Sequence, residues 1–111
     1  MKVKRLCALW TLVLFAIVVG SAFALAQGRP ARVEQGGRVF IDSGCYGCHT
    51  VGKRGTPIGP DLSHLGSKYP ADYVERWLRD PLAVRPNAHM PQLELHEGQV
   101  LALAAYLSSL R

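Results

Sequence analysis

Two thiols and an imidazole fall within five residues in "CYGCH", Cys45 to His49, and the only other cysteine is Cys7. Whatever this cluster binds, a chain of 111 residues must fold around it. That length accommodates one domain at most. A disulfide between Cys45 and Cys48 would close too short a loop to hold a domain together. A small interior therefore has to be completed by something else.

The first residues lie outside that domain. Lys2, Lys4 and Arg5 precede Leu6 to Ala26, a run of 21 residues without a charge that ends in Ala24-Leu25-Ala26. A basic start, an apolar run and a small-x-small end describe a secretory signal cut before Gln27. About 20 apolar residues also suffice to cross a bilayer as an uncleaved anchor. Either way the basic end stays inside and the following residues reach the outer face. We expect residues 1–26 to be a signal peptide or membrane anchor. Residues 27–111 are expected to form one periplasmic or outer-face domain. Cys7 goes with the first segment and has no assigned role.

Charge narrows the partners. The formal +5 includes three basic residues of the leader, and without them ten basic residues face eight acidic ones, leaving +2. No basic run with interleaved aromatics occurs, so nucleic acid is not an expected partner. Membrane contact is expected only if the first segment is retained. Lys53-Arg54 and the pair Arg76 and Arg79 are the local charges available for docking another protein.

Helical spacing dominates what remains. Val33, Gly36, Gly37 and Phe40 share a face of a helix expected over about 33–43. Glycine inside a helix costs about 1 kcal/mol relative to alanine, so two of them imply that another element passes close by. Val100, Leu103, Leu107 and Leu110 form the stripe of a last helix at about 96–110, with Tyr106 placed to meet Gly36 or Gly37. A middle helix is expected over about 71–80, after Pro70 and stopped by Pro81, with Tyr73 and Trp77 able to stack. No strand alternation is visible, so a sheet is not expected. The fold class is all-α, three to four short helices joined by long loops. Loops that long in a small domain wrap around something or carry function.

Three chemistries compete for Cys45, Cys48 and His49. Structural zinc needs four converging ligands, and adjacent Cys48 and His49 reach a common tetrahedral centre with difficulty. A thioredoxin-like dithiol needs a βαβ setting, which is missing. Cys-x-x-Cys-His is also the attachment motif of c-type haem, and an exported domain short of core suits a large apolar disc. Such a haem needs a second axial ligand or an open site. Met90 is the only methionine after the leader, and Pro91 biases it to an extended conformation. Neighbouring side chains then point opposite ways, so His89 turns away if Met90 faces the iron. His64, His89 and His96 are otherwise surface histidines, His89 being the most credible substitute ligand.

"CYGCH", then "GPDL", then "MP" make the chain resemble a class I c-type cytochrome over nearly all of Val33 to Leu110. "GRVF" and "LAAYLSSL" match that family's crossing terminal helices. The resemblance implies a small cytochrome c fold around one haem c, bound covalently through thioethers of Cys45 and Cys48. It also implies that His49 and Met90 hold the iron, that the Pro60 carbonyl accepts a hydrogen bond from His49, and that Leu62 packs on the ring. "VERWLRDPLAVRPNAHMPQL" is similar to the cytochrome c domain of haem–copper oxidase subunit II, although 111 residues are expected to leave no room for its copper domain. The implied activity is one-electron transfer in a respiratory or periplasmic chain, without enzymatic catalysis. Redox proteins such as a terminal oxidase or a dehydrogenase are the implied partners. Two other readings stay open: a haem subunit permanently bound to such a complex, and a gas-binding or peroxidatic haem protein.

Overall fold

In a computed structural model, residues 2–111 are described, apart from the side chains of residues 2, 4–6 and 25–27. The expected cleavage point before Gln27 and the basic side chains of Lys2, Lys4 and Arg5 therefore lie outside the described residues. The chain divides into two units, Met1–Pro30 and Ala31–Arg111.

Within the first unit the chain is helical. Leu12, Phe15, Val18 and Phe23 are each about two-thirds exposed, so no described part of the protein covers them. By length and composition this helix can cross a membrane, a test that signal sequences also pass.

The helix α1 spans Lys2–Asp42 and includes Pro30. It starts well before the expected Val33, because the charge-free apolar run that precedes that residue is helical as well. In the second unit it is followed by a short 3-10 turn over Cys45–Gly47 and by a hairpin of β1 (Thr50–Val51) and β2 (Arg54–Gly55). Then come α2 (Leu65–Lys68), α3 (Ala71–Arg79), α4 (Pro81–Val84) and α5 (Glu97–Ser109). The all-α architecture stands, with five α-helices among the described residues where three to four were expected. The antiparallel hairpin corrects the expectation of no sheet: strands of two residues are too short to show alternation, and Gly52 at φ 59° makes the turn.

The core forms where α1, α3 and α5 converge. Phe40, Val74, Leu78, Val100, Leu103 and Leu107 are all buried, each contributing about 1.5–3 kcal/mol by leaving water. Phe40 meets Tyr46 edge-on at 4.9 Å and Tyr106 at 5.5 Å between ring centroids. The two helical glycines sit where the sequence placed them. A Cβ on Gly36 would fall inside the Ala102 backbone carbonyl, whereas one on Gly37 would meet the Tyr106 ring at 3.6 Å.

The helix ends are set by local chemistry. Ala83 N–H donates to Asp80 Oδ1 at 3.1 Å, with Pro81 in the first turn of α4. His96 caps α5: Gln99 N–H donates to its Nδ1 at 3.3 Å, and His96 N–H donates to Gln99 Oε1 at 3.1 Å. This reciprocal box satisfies two otherwise orphaned donors. Arg79 clamps α3 to α5 through Glu97 at 2.6 Å and also reaches Glu75 at 3.3 Å.

Candidate functional site

The turn after α1 carries the cluster. Ser43 N–H donates to Val39 carbonyl, and Gly44 at φ 71° reverses the chain. The single turn that follows places Cys45 half-buried against the core and Cys48 exposed; both thiols are free. His49 N–H donates to the Cys45 carbonyl at 2.9 Å. Burial pushes the Cys45 thiol up from its ordinary value, with a further rise from the nearby Cys48.

The segment 56–62 folds back along 46–50 as a backing layer. Thr56 N–H donates to Tyr46 carbonyl at 3.0 Å, Gly59 N–H to Cys48 carbonyl, and Leu62 N–H to Thr50 carbonyl at 2.9 Å. Asp61 Oδ1 accepts from both the N–H and the hydroxyl of Ser63, while Ser63 Oγ accepts from Gly52 N–H at 2.7 Å. The Ser63 hydroxyl, bonded to Asp61, holds that carboxyl below the usual range. A chain of side-chain bonds thus fastens this layer to the hairpin.

Its purpose is visible at His49. The ring Nδ1 lies 2.8 Å from the Pro60 carbonyl oxygen. A carbonyl only accepts, so Nδ1 carries a proton, and in the neutral ring Nε2 is the nitrogen with the free lone pair. A hydrogen bond of this kind fixes the ring and raises its basicity as a ligand. Gly59 is the second constraint: a Cβ there would come 2.7 Å from His49 Cε1 and 3.0 Å from Nδ1. Only hydrogen fits beside the imidazole.

From the other end of the domain comes the loop after α4. Met90 is half-buried against the core, while His89 beside it is exposed. Trp77 Nε1–H donates to Met90 Sδ at 3.1 Å. His64 and His96 are exposed, and His96 serves as the α5 cap. Leu62, Val51, Leu65 and Leu95 are also only partly covered apolar groups packed on the core.

This donor set fits a haem attached through its edge. Two free thiols three residues apart, an imidazole with a bare Nε2, a separate thioether and a rim of part-exposed aliphatic side chains are what such a group requires. For a metal ion alone the set is poor: among the described residues no three His, Cys, Asp or Glu side chains converge. An open cleft of about 480 Å³ between Arg79, Glu97 and residues 92–95 contains none of the cluster.

Sequence reading missed two participants. Gly59 is legible only as the residue before Pro60, and the Trp77–Met90 bond joins residues 13 apart across a loop. Arg76 and Arg79, offered by the sequence as docking charges, are exposed and engaged in ion pairs. Arg76 is bonded to Asp72 at 2.7 Å, and Arg79 to Glu75 and Glu97; at the other pair, Lys53-Arg54, the Arg54 guanidinium lies 4.9 Å over the Tyr46 ring.

Comparison with known proteins gives concordant matches. The family profile described as "Cytochrome c" matches residues 33–111. The chain is 34% identical to cytochrome c oxidase subunit 2 of Alkalihalophilus pseudofirmus, over 99% of this chain and 38% of that protein. It is 30% identical to the subunit of that name from a Bacillus species, over 71% and 26%. It is 26% identical to a nitric oxide reductase subunit of Stutzerimonas stutzeri, over 84% and 74%. The chain therefore spans well under half the length of either oxidase subunit.

Proposed function

The chain belongs to the cytochrome c family, and from that premise we propose that it is an exported one-electron carrier whose iron is held between His49 and Met90. It carries one haem c, covalently bound, and Cys45-x-x-Cys48-His49 fits the attachment motif. Bound haem supplies the one-electron Fe(II)/Fe(III) couple. The remaining work falls to the chain's own residues.

Cys45 and Cys48 anchor the macrocycle at one edge. His49 offers Nε2 because Pro60 engages Nδ1, and Gly59, lacking a Cβ, leaves room for the ring beside it. Met90 offers a thioether, and a His/Met pair raises the potential above that of two nitrogen ligands. Leu62 and its aliphatic neighbours, partly exposed at the core's edge, would exclude water from the bound ring. With His49 and Met90 both holding the iron, no position would be open to a substrate, so the reading is a carrier and not an enzyme.

The observation that carries this reading is the 2.8 Å bond from His49 to Pro60, which prepares a nitrogen with no other assigned use. The test is optical. The pure protein should show a reduced-minus-oxidised c-type spectrum, and acid–acetone should leave its haem on the chain. The ferric form should show the near-infrared thioether–iron band and the ferrous form should not bind carbon monoxide. Rapid carbon monoxide binding would favour a gas-binding haem protein instead.

A second reading has its own support. The relatives are named as subunits of an oxidase and a reductase, and the apolar face of α1 is exposed. On that reading the first segment is a retained anchor and the domain is the haem subunit of a respiratory complex at the outer face. The intact mass of native protein settles the anchor: loss of residues 1–26 marks a cleaved leader. Purification with a partner, through detergent and salt, would make it a subunit; purification alone would make it a mobile carrier.

A further inference from the structure

The carbonyl that meets His49 belongs to the peptide joining Pro60 to Asp61, and the chain is fastened on both sides of it. Upstream, Gly59 N–H donates to the Cys48 carbonyl; downstream, Leu62 N–H donates to the Thr50 carbonyl at 2.9 Å. Between these bonds the Asp61 carboxylate turns back onto Ser63. Its Oδ1 accepts from the Ser63 N–H at 2.9 Å and from the Ser63 hydroxyl at 2.6 Å. The same hydroxyl oxygen accepts from Gly52 N–H at 2.7 Å, in the turn of the hairpin. Ser63 thus uses its hydroxyl both ways, as donor to Asp61 and as acceptor from Gly52. Bonds to a carboxylate are about twice as strong as those between neutral groups.

The clasp also keeps a charge in place. The Ser63 hydroxyl first, then its N–H, then the Thr50 hydroxyl hold the Asp61 carboxyl below the usual range. Thr50 directly follows His49 in the chain, so the negative charge stays beside the backbone that carries the imidazole. Asp61 is exposed, and water could serve its oxygens nearly as well. What the bonds add is therefore orientation of the adjoining peptide more than overall stability.

We propose that Asp61 and Ser63 are positioning residues for His49: their clasp aims the Pro60 carbonyl at Nδ1, keeps a negative charge behind it, and so lowers the reduction potential. This rests on the reading of His49 as a haem ligand. A firmly held acceptor draws the Nδ1 proton and makes Nε2 a stronger donor. A stronger donor and a nearby negative charge both favour Fe(III), which carries one more positive charge than Fe(II). The clasp acts against Met90, whose thioether raises the potential. The working value is set between the two.

The test uses the full-length holoprotein. Asp61→Asn keeps the shape of the side chain and removes its charge. At a fixed solution potential the ratio of oxidised to reduced protein should fall about two- to fivefold, the range of one charge acting through largely aqueous surroundings. Ser63→Ala cuts the clasp and should lower the ratio as well. It should also speed exchange of the His49 Nδ1 proton about tenfold, the effect of one lost bond, while amides in the middle of α5 stay protected. Ser63→Thr keeps the hydroxyl and should restore wild-type values. A purely structural loss would act in the opposite direction, because water admitted beside the haem stabilises Fe(III) and raises the ratio. In wild-type protein the Gly52 amide should exchange far more slowly than that of an unstructured chain, a readout available even if the variants fold poorly.

If His49→Ala kept the wild-type spectrum, the ligand reading and this inference would fall together. With the spectrum lost in His49→Ala, an unchanged or raised ratio in either Asp61→Asn or Ser63→Ala would overturn this inference alone. A Gly52 amide exchanging at the unstructured rate would do the same.

Discussion

Gly36 on α1 and Ala102 on α5 approach so closely that a single added methyl on Gly36 would enter the Ala102 carbonyl group. At the next position, Gly37 faces the Tyr106 ring at ordinary contact distance. The two adjacent glycines are therefore not equivalent. Gly36→Ala should destabilise the holoprotein by about 1–3 kcal/mol through overpacking. Gly37→Ala should be neutral or stabilising by up to about 1 kcal/mol, the helix-propensity gain. Denaturant midpoints for the two variants check this; equal losses at both positions would refute the crossing geometry.

Gly59→Ala tests the other close approach. Its methyl would press on the His49 ring edge, forcing the imidazole to turn or the backing segment to move. Haem should remain attached, because Cys45 and Cys48 are untouched. The ferric spectrum should change and stability should fall by about 1–3 kcal/mol. A variant with the wild-type spectrum and midpoint would show that Gly59 does not set the ring.

Met90→Ala and His89→Ala separate the ligand from its neighbour. Met90→Ala should lose the near-infrared band, lower the potential and admit carbon monoxide to the reduced protein. His89→Ala should leave all three unchanged, since His89 is exposed while Met90 packs on the core. The reverse pattern would give the iron two histidine ligands and end the high-potential carrier reading.

Acid should loosen the clamp between α3 and α5. The hydrogen bond from Arg79 holds the Glu97 carboxyl below its ordinary value of 4.5. A lowered folded value means stabilisation that is present above the ordinary value and lost as pH falls through the folded one. Both groups are exposed, so the contribution is modest. Glu97→Gln should lower Tm at pH 7, and the gap to wild type should close as pH falls below 4.5 and through the lowered folded value. A gap that persists or widens in acid would assign the effect to packing rather than charge.

These tests fall partly on features the sequence displays and partly on features it hides. Gly36, Gly37 and Tyr106 announced a close crossing because paired glycines are costly in a helix and a bulky partner lay at the right spacing. The thiols and His49 were legible because the chemistry compresses them into five residues. Gly59 was hidden because one glycine in a loop rich in glycine and proline has many possible reasons. The Trp77 donor was hidden because a stripe of aromatic residues at four-residue spacing reads first as packing. The hairpin was hidden by its size. Asp61, Ser63 and Gly52 form their bonds only once the chain has doubled back, and no spacing rule marks them.

The two halves of the site also differ in how far along the chain their parts must travel. The thiols, His49, Gly59, Pro60 and the Asp61–Ser63–Gly52 bonds all lie within residues 45–63. Met90 and its indole partner belong to a later stretch, on and beyond α3, a helix that Arg79 joins to Glu97 of α5. Short-range contacts close earlier than long-range ones. Biogenesis can therefore proceed in two stages, with a nascent polypeptide presenting its anchoring half before the opposite wall exists. Maturation would then finish by lowering that wall over a macrocycle already tethered.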